Sequence, residues 1–79
     1  MGFDVQAVVT LTRNPTNALL EALDHQFGAV QHETGSKVVT VVEHVAIADE
    51  GDAREFMRSL LVDAIPQGST VTEITAVEG

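Results

Sequence analysis

The stretch SKVVTVVEHVAI, residues 36–47, decides the fold of this 79-residue chain. Six of its twelve residues are Val or Ile, which pack well on a pleated surface, so the run predicts the central strand of a sheet. Alternate residues of a strand point to opposite faces, and an antiparallel strand with one solvated face alternates apolar and polar residues. Here both faces are apolar: Val39, Val41, Val45 and Ile47 lie with Glu43 on one, and Val38, Val42 and Ala46 lie with Thr40 and His44 on the other.

The segment before this stretch predicts a strand followed by a helix. Residues 3–12 alternate between apolar and polar side chains, which is typical of a half-buried strand. Asn14 is a good residue to cap a helix, and Pro15 suits the first helical position because its missing N–H would be unpaired there. Leucines at helical spacing follow, and Gly28 is suited to ending the helix. The sequence therefore predicts a helix over residues 15–27.

A hairpin is expected to join the next two strands. Residues 29–34 predict a short strand, and Gly35-Ser36 is typical of a tight two-residue turn with glycine first. That turn places His32 opposite Val39. The central strand is longer than this neighbour, so its second half must pair with another strand.

The clearest helix of the chain follows the hairpin. Asp52 with Glu55 three residues later resembles a capping box, Pro66 is expected to stop the helix, and residues 70–77 predict a last strand. The apolar residues of this helix fall at the spacing of one buried stripe: Ala53, Phe56, Met57, Leu60, Leu61, Ala64 and Ile65.

The element order β-α-β-β-α-β indicates a fold in which two amphipathic helices cover one face of a sheet. We expect a single α+β domain over residues 1–79, the ferredoxin-like split βαβ sandwich with antiparallel strand order 4-1-3-2. In this fold the central strand has only one face covered by helices. The other face would be left open.

Composition narrows the possible functions. Twelve acidic residues against four Lys and Arg give a net charge of −8, which argues against direct nucleic-acid binding because phosphate contacts need clustered Lys and Arg. The chain has no cysteine, which excludes disulfides, thiol chemistry and Cys-ligated metals. It has no apolar run of membrane-spanning length, so we expect a cytoplasmic protein that does not bind membranes.

The polar residues do not form a recognisable catalytic or metal-binding motif. The expected hairpin places His32 and His44 on opposite faces, so they cannot share a metal, and we expect no metal, no cofactor and no catalytic residues. Arg13 and Asn14 precede a helix start, where a cation beside free backbone N–H groups is a weak candidate for an anion site.

The open sheet face is the best candidate for function. We expect it to carry Val8, Val38, Thr40, Val42 and His44, although the reverse orientation, with Val39 and Val41 on the open face, is an alternative. Exposed apolar patches often mark interaction sites. The leading hypothesis is a non-enzymatic module that self-associates or binds a protein partner through this face. A small dimeric ferredoxin-like enzyme or ligand-binding domain, and an acidic regulator of a basic protein, are alternatives. A carboxylate at Glu43 inside an apolar run also predicts a bulge or an interface nearby.

Overall fold

The computed structural model describes residues 2–78 as one four-stranded sheet with two helices. The strands and helices follow one another in the expected order. In chain order the elements are β1 (Phe3–Thr10), α1 (Asn17–Gln26), β2 (Ala29–His32), β3 (Val38–Val45), α2 (Glu50–Ala64) and β4 (Thr70–Glu78).

The sheet is antiparallel throughout, and its order is β2-β3-β1-β4, which is β4-β1-β3-β2 when counted from the other edge. β1 and β3 are the two central strands and pair along their whole length, from Phe3 opposite Val45 to Thr10 opposite Val38. β4 lies on the outer side of β1, and the short β2 lies on the outer side of β3. The expected α+β class is confirmed, and so is the central position of β3.

One face of the sheet forms the core with both helices. The buried residues of β1 and β3 belong to the same cluster as the buried residues of α1 and α2, so both helices cover this face. The cluster is almost entirely aliphatic, with Phe27 as its one buried ring. Its members are Val5, Ala7, Val9, Leu11, Leu23, Phe27, Val39, Val41, Val45, Ala53, Met57 and Leu61.

Glu43 lies in the inward row of β3 without a bulge in that strand. The register between β1 and β3 is unbroken and places Glu43 opposite Val5, so the bulge expected there is wrong. β2 begins at Ala29, opposite Val42, so no residue of β2 covers the edge of β3 beside Glu43. The carboxylate lies next to Gly28, and its Oε1 accepts the His44 backbone N–H at 3.2 Å. The free edge and the missing Gly28 side chain accommodate the charge, which is why no bulge is needed.

Both helices are capped by different residues from those expected. Thr16, not Asn14, caps α1, and its hydroxyl accepts the Leu19 backbone N–H at 3.1 Å. Asp49, not Asp52, caps α2 by accepting the Asp52 backbone N–H at 2.9 Å. In each case several adjacent residues can cap, and sequence patterns place helix ends only to within a few residues.

The ends of the two helices also differ from expectation. α1 ends at Gln26, and Gly28 does not adopt the left-handed conformation expected of a glycine that terminates a helix. In α2 the buried line is Ala53, Met57 and Leu61, at a strict spacing of four. Phe56 belongs to the flank of that line and is 46% exposed, so its expected burial is wrong.

The hairpin between β2 and β3 has the expected register but a different turn. His32 does lie opposite Val39, and Val30 lies opposite Val41. The turn, however, spans Glu33 to Ser36, whose backbone N–H donates to the Glu33 carbonyl at 3.0 Å. Gly35 is the third residue of this turn, with a φ of 84°. A glycine at that position is typical of a type II turn, and the tight turn with glycine first is wrong.

Gly35→Ala is expected to lower the free energy of unfolding by about 1 kcal/mol. The cost is conformational, because nothing lies within 4 Å of the position where the added Cβ would be, while a positive φ is unfavourable for alanine. Gly35→Asn should lose less, since asparagine tolerates this conformation better. Urea unfolding followed by circular dichroism measures both changes. Equal losses for the two variants would contradict the conformational explanation.

Candidate interaction surface

The sheet face opposite the helices is open among the described residues, and it is built by alternate residues of all four strands. The register brings the sequence-predicted residues together there: Thr40 lies opposite Val8, Val42 opposite Gln6, and His44 opposite Asp4. Val38, at the other end of β3, lies opposite Thr10. The prediction that these residues share one face is therefore correct. Whether the face binds anything remains a prediction.

The apolar side chains of this open face are surrounded by small polar ones. Val8 and Val42 are half-buried by their neighbours in the sheet, whereas Val38 is 40% exposed. Threonine and glutamine side chains fill most of the remaining positions on β1 and β4, including Gln6 and Thr75. The result is a surface of mixed apolar and polar side chains. Its composition resembles that of ordinary non-obligate interfaces.

One hydrogen bond ties the two central strands together on the open face. His44 Nδ1 donates to Asp4 Oδ1 at 3.0 Å, and both side chains are more than half exposed. The sequence pattern identified His44 as an interface residue but did not pair it with Asp4. The partner follows only from the register of β1 against β3, which a local pattern does not contain.

β4 adds residues to the open face that the sequence analysis did not include. Its register against β1 shifts between Val8 and Val9, so that Thr72 is an extra residue in the strand. The Thr72 hydroxyl donates to the Val8 carbonyl at 3.1 Å. Beyond this bulge, Glu73 and Thr75 face outward beside Val8 and Gln6. The alternation of apolar and polar residues in β4 does not predict which of its residues face outward. A bulge interrupts the two-residue period of a strand, and the sequence does not show where the bulge lies.

The negative charge of the chain is distributed unevenly between the two layers. Among the described residues, three carboxylates lie on or beside the open face: Asp4, which is hydrogen-bonded to His44, Glu73, and Glu33, which lines a cleft with Val38 and Thr40. The helical layer carries seven exposed ones: Glu21, Asp24, Asp49, Glu50, Asp52, Glu55 and Asp63. The open face is therefore the part of the surface where another acidic molecule can approach with least repulsion.

The candidate anion site has a different geometry from the one expected. Arg13 and Asn14 are exposed in the loop before α1, and they line a cleft of about 380 Å³ together with Leu11, Pro15 and Pro66, among others. Asn14 lies two residues before the cap residue Thr16 and does not begin the helix. Anion binding at Arg13 and Asn14 stays a prediction.

The histidines are separated in space. His25 is exposed near the end of α1, and His32 donates from Nε2 to the Ser36 carbonyl at 2.8 Å. His32 lies on the helix side of the sheet edge, whereas His44 lies on the open face, as expected. Within residues 2–78, no three His, Asp or Glu side chains converge as metal ligands would. In the same residues, neither helix is long and apolar enough to cross a membrane.

No protein-family model, curated protein or solved structure matches this chain.

Proposed function

We propose that this protein is a small non-enzymatic interaction module that self-associates through its open sheet face. The observation that carries the proposal is the segregation of charge. A chain with net charge −8 repels its own copies over most of its surface, yet its open sheet face carries few carboxylates: Asp4, which is hydrogen-bonded, Glu73, and Glu33 at the border. Valine and threonine side chains occupy the middle of that face.

The dimensions of the open face suit a modest dimer. The strands lie about 4.8 Å apart, and with β1, β3 and β4 about 26 Å long and β2 about 13 Å long they give a face of roughly 440 Å² in projection. Two such faces in contact would bury on the order of 900 Å² in total, which is the size of a weak interface. Val8, Val42 and Thr40 lie near its centre, where water is excluded most completely.

A second copy is a better occupant of this face than a basic protein. A basic partner would gain most from the helical layer, where seven carboxylates are exposed, and little from the open face. A second copy brings the same charge-poor surface and keeps the two acidic helical layers on opposite, outer sides. Apolar burial rather than charge attraction would then stabilise the dimer.

The remaining parts of the proposal concern fold and location. We propose the ferredoxin-like split βαβ arrangement, which is supported by the β-α-β-β-α-β order and by the sheet order counted from β4. We also propose a cytoplasmic protein. A chain without cysteine is suited to a reducing compartment, because it does not depend on disulfides for stability.

Thr40→Glu is expected to halve the mass of the assembly at concentrations where the unmodified chain is associated. The substitution places a charge at the centre of the open face, so each two-fold dimer would bury two carboxylates without partners. Size-exclusion chromatography with light scattering measures the mass directly.

Thr34→Glu is the matched control for this experiment. It makes the same change in residue and net charge at the exposed hairpin turn, away from the open face. The control should keep the mass of the unmodified chain. A monomeric unmodified chain at all concentrations, or equal masses for the Thr40 and Thr34 variants, would refute self-association through this face.

A further inference from the structure

His44 is a titratable residue of the open face, and it lies at one end of the two central strands. Its Nδ1 donates to Asp4 Oδ1 at 3.0 Å, and the two side chains are 54% and 57% exposed. Histidine side chains change their charge between about pH 5 and 8, whereas carboxylates stay almost fully ionised in that range. The total charge of this pair is therefore −1 when the imidazole is neutral and zero when the imidazole is protonated.

The hydrogen bond to Asp4 determines which nitrogen of His44 takes up the second proton. An ionised carboxylate can only accept a hydrogen bond, so Nδ1 keeps its hydrogen in both charge states. The proton that binds and leaves is the one on Nε2. This atom lies 3.0 Å from the position that a Cβ on Gly2 would have, and it has no hydrogen-bond partner within residues 2–78. The ring can therefore gain a proton without breaking its bond to Asp4.

Few other charged groups face His44 within residues 2–78. On its own strand, Glu43 belongs to the helix-facing row and accepts the His44 backbone N–H. On β4, Val77 lies opposite Asp4, and the nearest carboxylate of the open face is Glu73, four positions from Val77. β2 pairs only with earlier residues of β3, and both helices cover the other face. The charge at this end of the open face is therefore decided by the Asp4–His44 pair.

Self-association brings these charges close to those of a second copy. Packed sheets lie about 10 Å apart, which is close to the distance of about 8 Å over which physiological salt screens a charge. With His44 neutral, each open face presents Asp4 and Glu73, with Glu33 at its border. With His44 protonated, one positive charge offsets one of these three negative charges. The repulsion between two open faces is therefore weaker when His44 carries the second proton.

We propose that His44 regulates the open-face dimer by pH, an inference that rests on the self-association proposed above. The dimer forms more readily below about pH 6 and is weakened above about pH 7.5. The sign follows from linkage. A proton on Nε2 reduces the repulsion from a second copy, so the dimer binds this proton more tightly than the monomer does, and by reciprocity the proton strengthens association. This sign is the same for every two-fold arrangement that buries the open face, because it depends on the charge of the face.

Association of the unmodified chain is expected to be about 3- to 30-fold tighter at pH 5.5 than at pH 8, since each of the two copies gains one exposed charge interaction. Sedimentation velocity at up to about 1 mM protein measures the dissociation constant at both pH values. His44→Gln keeps a polar side chain on the open face but cannot take up the proton. This variant should lose most of the pH dependence, and circular dichroism should show an unchanged fold, because the side chain is exposed.

His25→Gln is the matched control for His44→Gln. It makes the same substitution at an exposed position near the end of α1, in the helical layer. It removes an equal charge at low pH, so it accounts for the effect of the net charge of the chain. The control should keep the pH dependence of the unmodified chain. An equal loss of pH dependence in the two variants would overturn the role of His44.

Asp4→Asn tests the other member of the pair. The substitution removes one negative charge from each open face, so this variant should associate more tightly than the unmodified chain at pH 8 and gain less on acidification. An Asp4→Asn variant with an unchanged dissociation constant at pH 8 would contradict the electrostatic explanation.

The two proposals for the open face fail in different ways. An unmodified chain with equal dissociation constants at pH 5.5 and 8 would refute regulation by His44 and leave the dimer intact. A chain that is monomeric at both pH values and at all concentrations would refute the self-association together with its regulation.

Discussion

Val41→Glu is expected to leave the chain unfolded at neutral pH. Val41 is 1% exposed and lies between Val30 on β2 and Ala7 on β1, under the helices. A carboxylate there would be buried without a partner, at a cost of several kcal/mol. The whole stability expected of a chain this size is only on the order of 4–12 kcal/mol. Far-UV circular dichroism and a thermal melt measure the loss of structure.

Glu43 shows that the inward row of β3 can hold a carboxylate at one position. Glu43 lies two residues away in the same inward row of β3, and the chain tolerates it. The difference is that β2 covers the edge of β3 beside Val41 but not beside Glu43. The carboxylate at 43 can therefore reach the sheet edge next to Gly28. A folded Val41→Glu variant with an unchanged melting temperature would contradict the explanation that the inward row of β3 tolerates a carboxylate only where β2 does not cover its edge.

Val38→Glu is the control for Val41→Glu. It makes the same substitution on the opposite face of the same strand, where the side chain is 40% exposed. The monomer fold should survive this change, because the new carboxylate remains in water. Its self-association should weaken, since Val38 lies on the proposed open-face interface. The two variants therefore separate the requirements of the core from those of the interface.

Leu61→Ala is expected to lower the free energy of unfolding by about 2–5 kcal/mol. Leu61 is fully buried in the line of α2 that faces the sheet, and its truncation both removes apolar burial and leaves a cavity. In a domain this small, each kcal/mol lowers the melting temperature by roughly 4–8 °C, so a loss of about 8 °C or more is expected. Differential scanning calorimetry measures it.

Val62→Ala is the control on the same helix, one residue further along. Val62 is 70% exposed, and its truncation should change stability by no more than about 0.5 kcal/mol. Both substitutions are best made in the Thr40→Glu background, because association of the folded chain would otherwise add to its apparent stability. Comparable losses for the two variants would mean that α2 does not pack through its 53-57-61 line.

The two helices show which structural features a local sequence pattern can predict and which it cannot. The stripe that predicts α2 includes the buried Ala53, Met57 and Leu61, and its existence follows from spacing alone. The same stripe also includes Phe56, which is half exposed. Periodicity identifies a side of the helix, but the width of the buried strip depends on what packs against it. The helix ends differ from the prediction for a related reason: Asn14, Thr16, Asp49 and Asp52 can all cap a helix, and only the path of the chain selects among them.

The candidate interface shows the same division between sequence and tertiary structure. The residues Val8, Val38, Thr40, Val42 and His44 could be placed on one face because strand alternation and the hairpin register are both properties of short sequences. The Asp4–His44 hydrogen bond and the contribution of β4 could not be predicted. They depend on pairings between strands that are far apart in the chain, and on a bulge that no local pattern positions.

By itself, the sequence of residues 36–47 determined that this chain has a central β-strand with two apolar faces, because β-branched side chains favour a pleated backbone wherever they occur. Only the tertiary structure decided what each face does. Its unbroken register put Val39, Val41 and Val45 under the helices, left Val38 and Val42 on the open face, and put Glu43 beyond the end of β2. Alternation makes the two faces distinct, but which face is covered depends on where the helices pack, and that is a property of the whole chain.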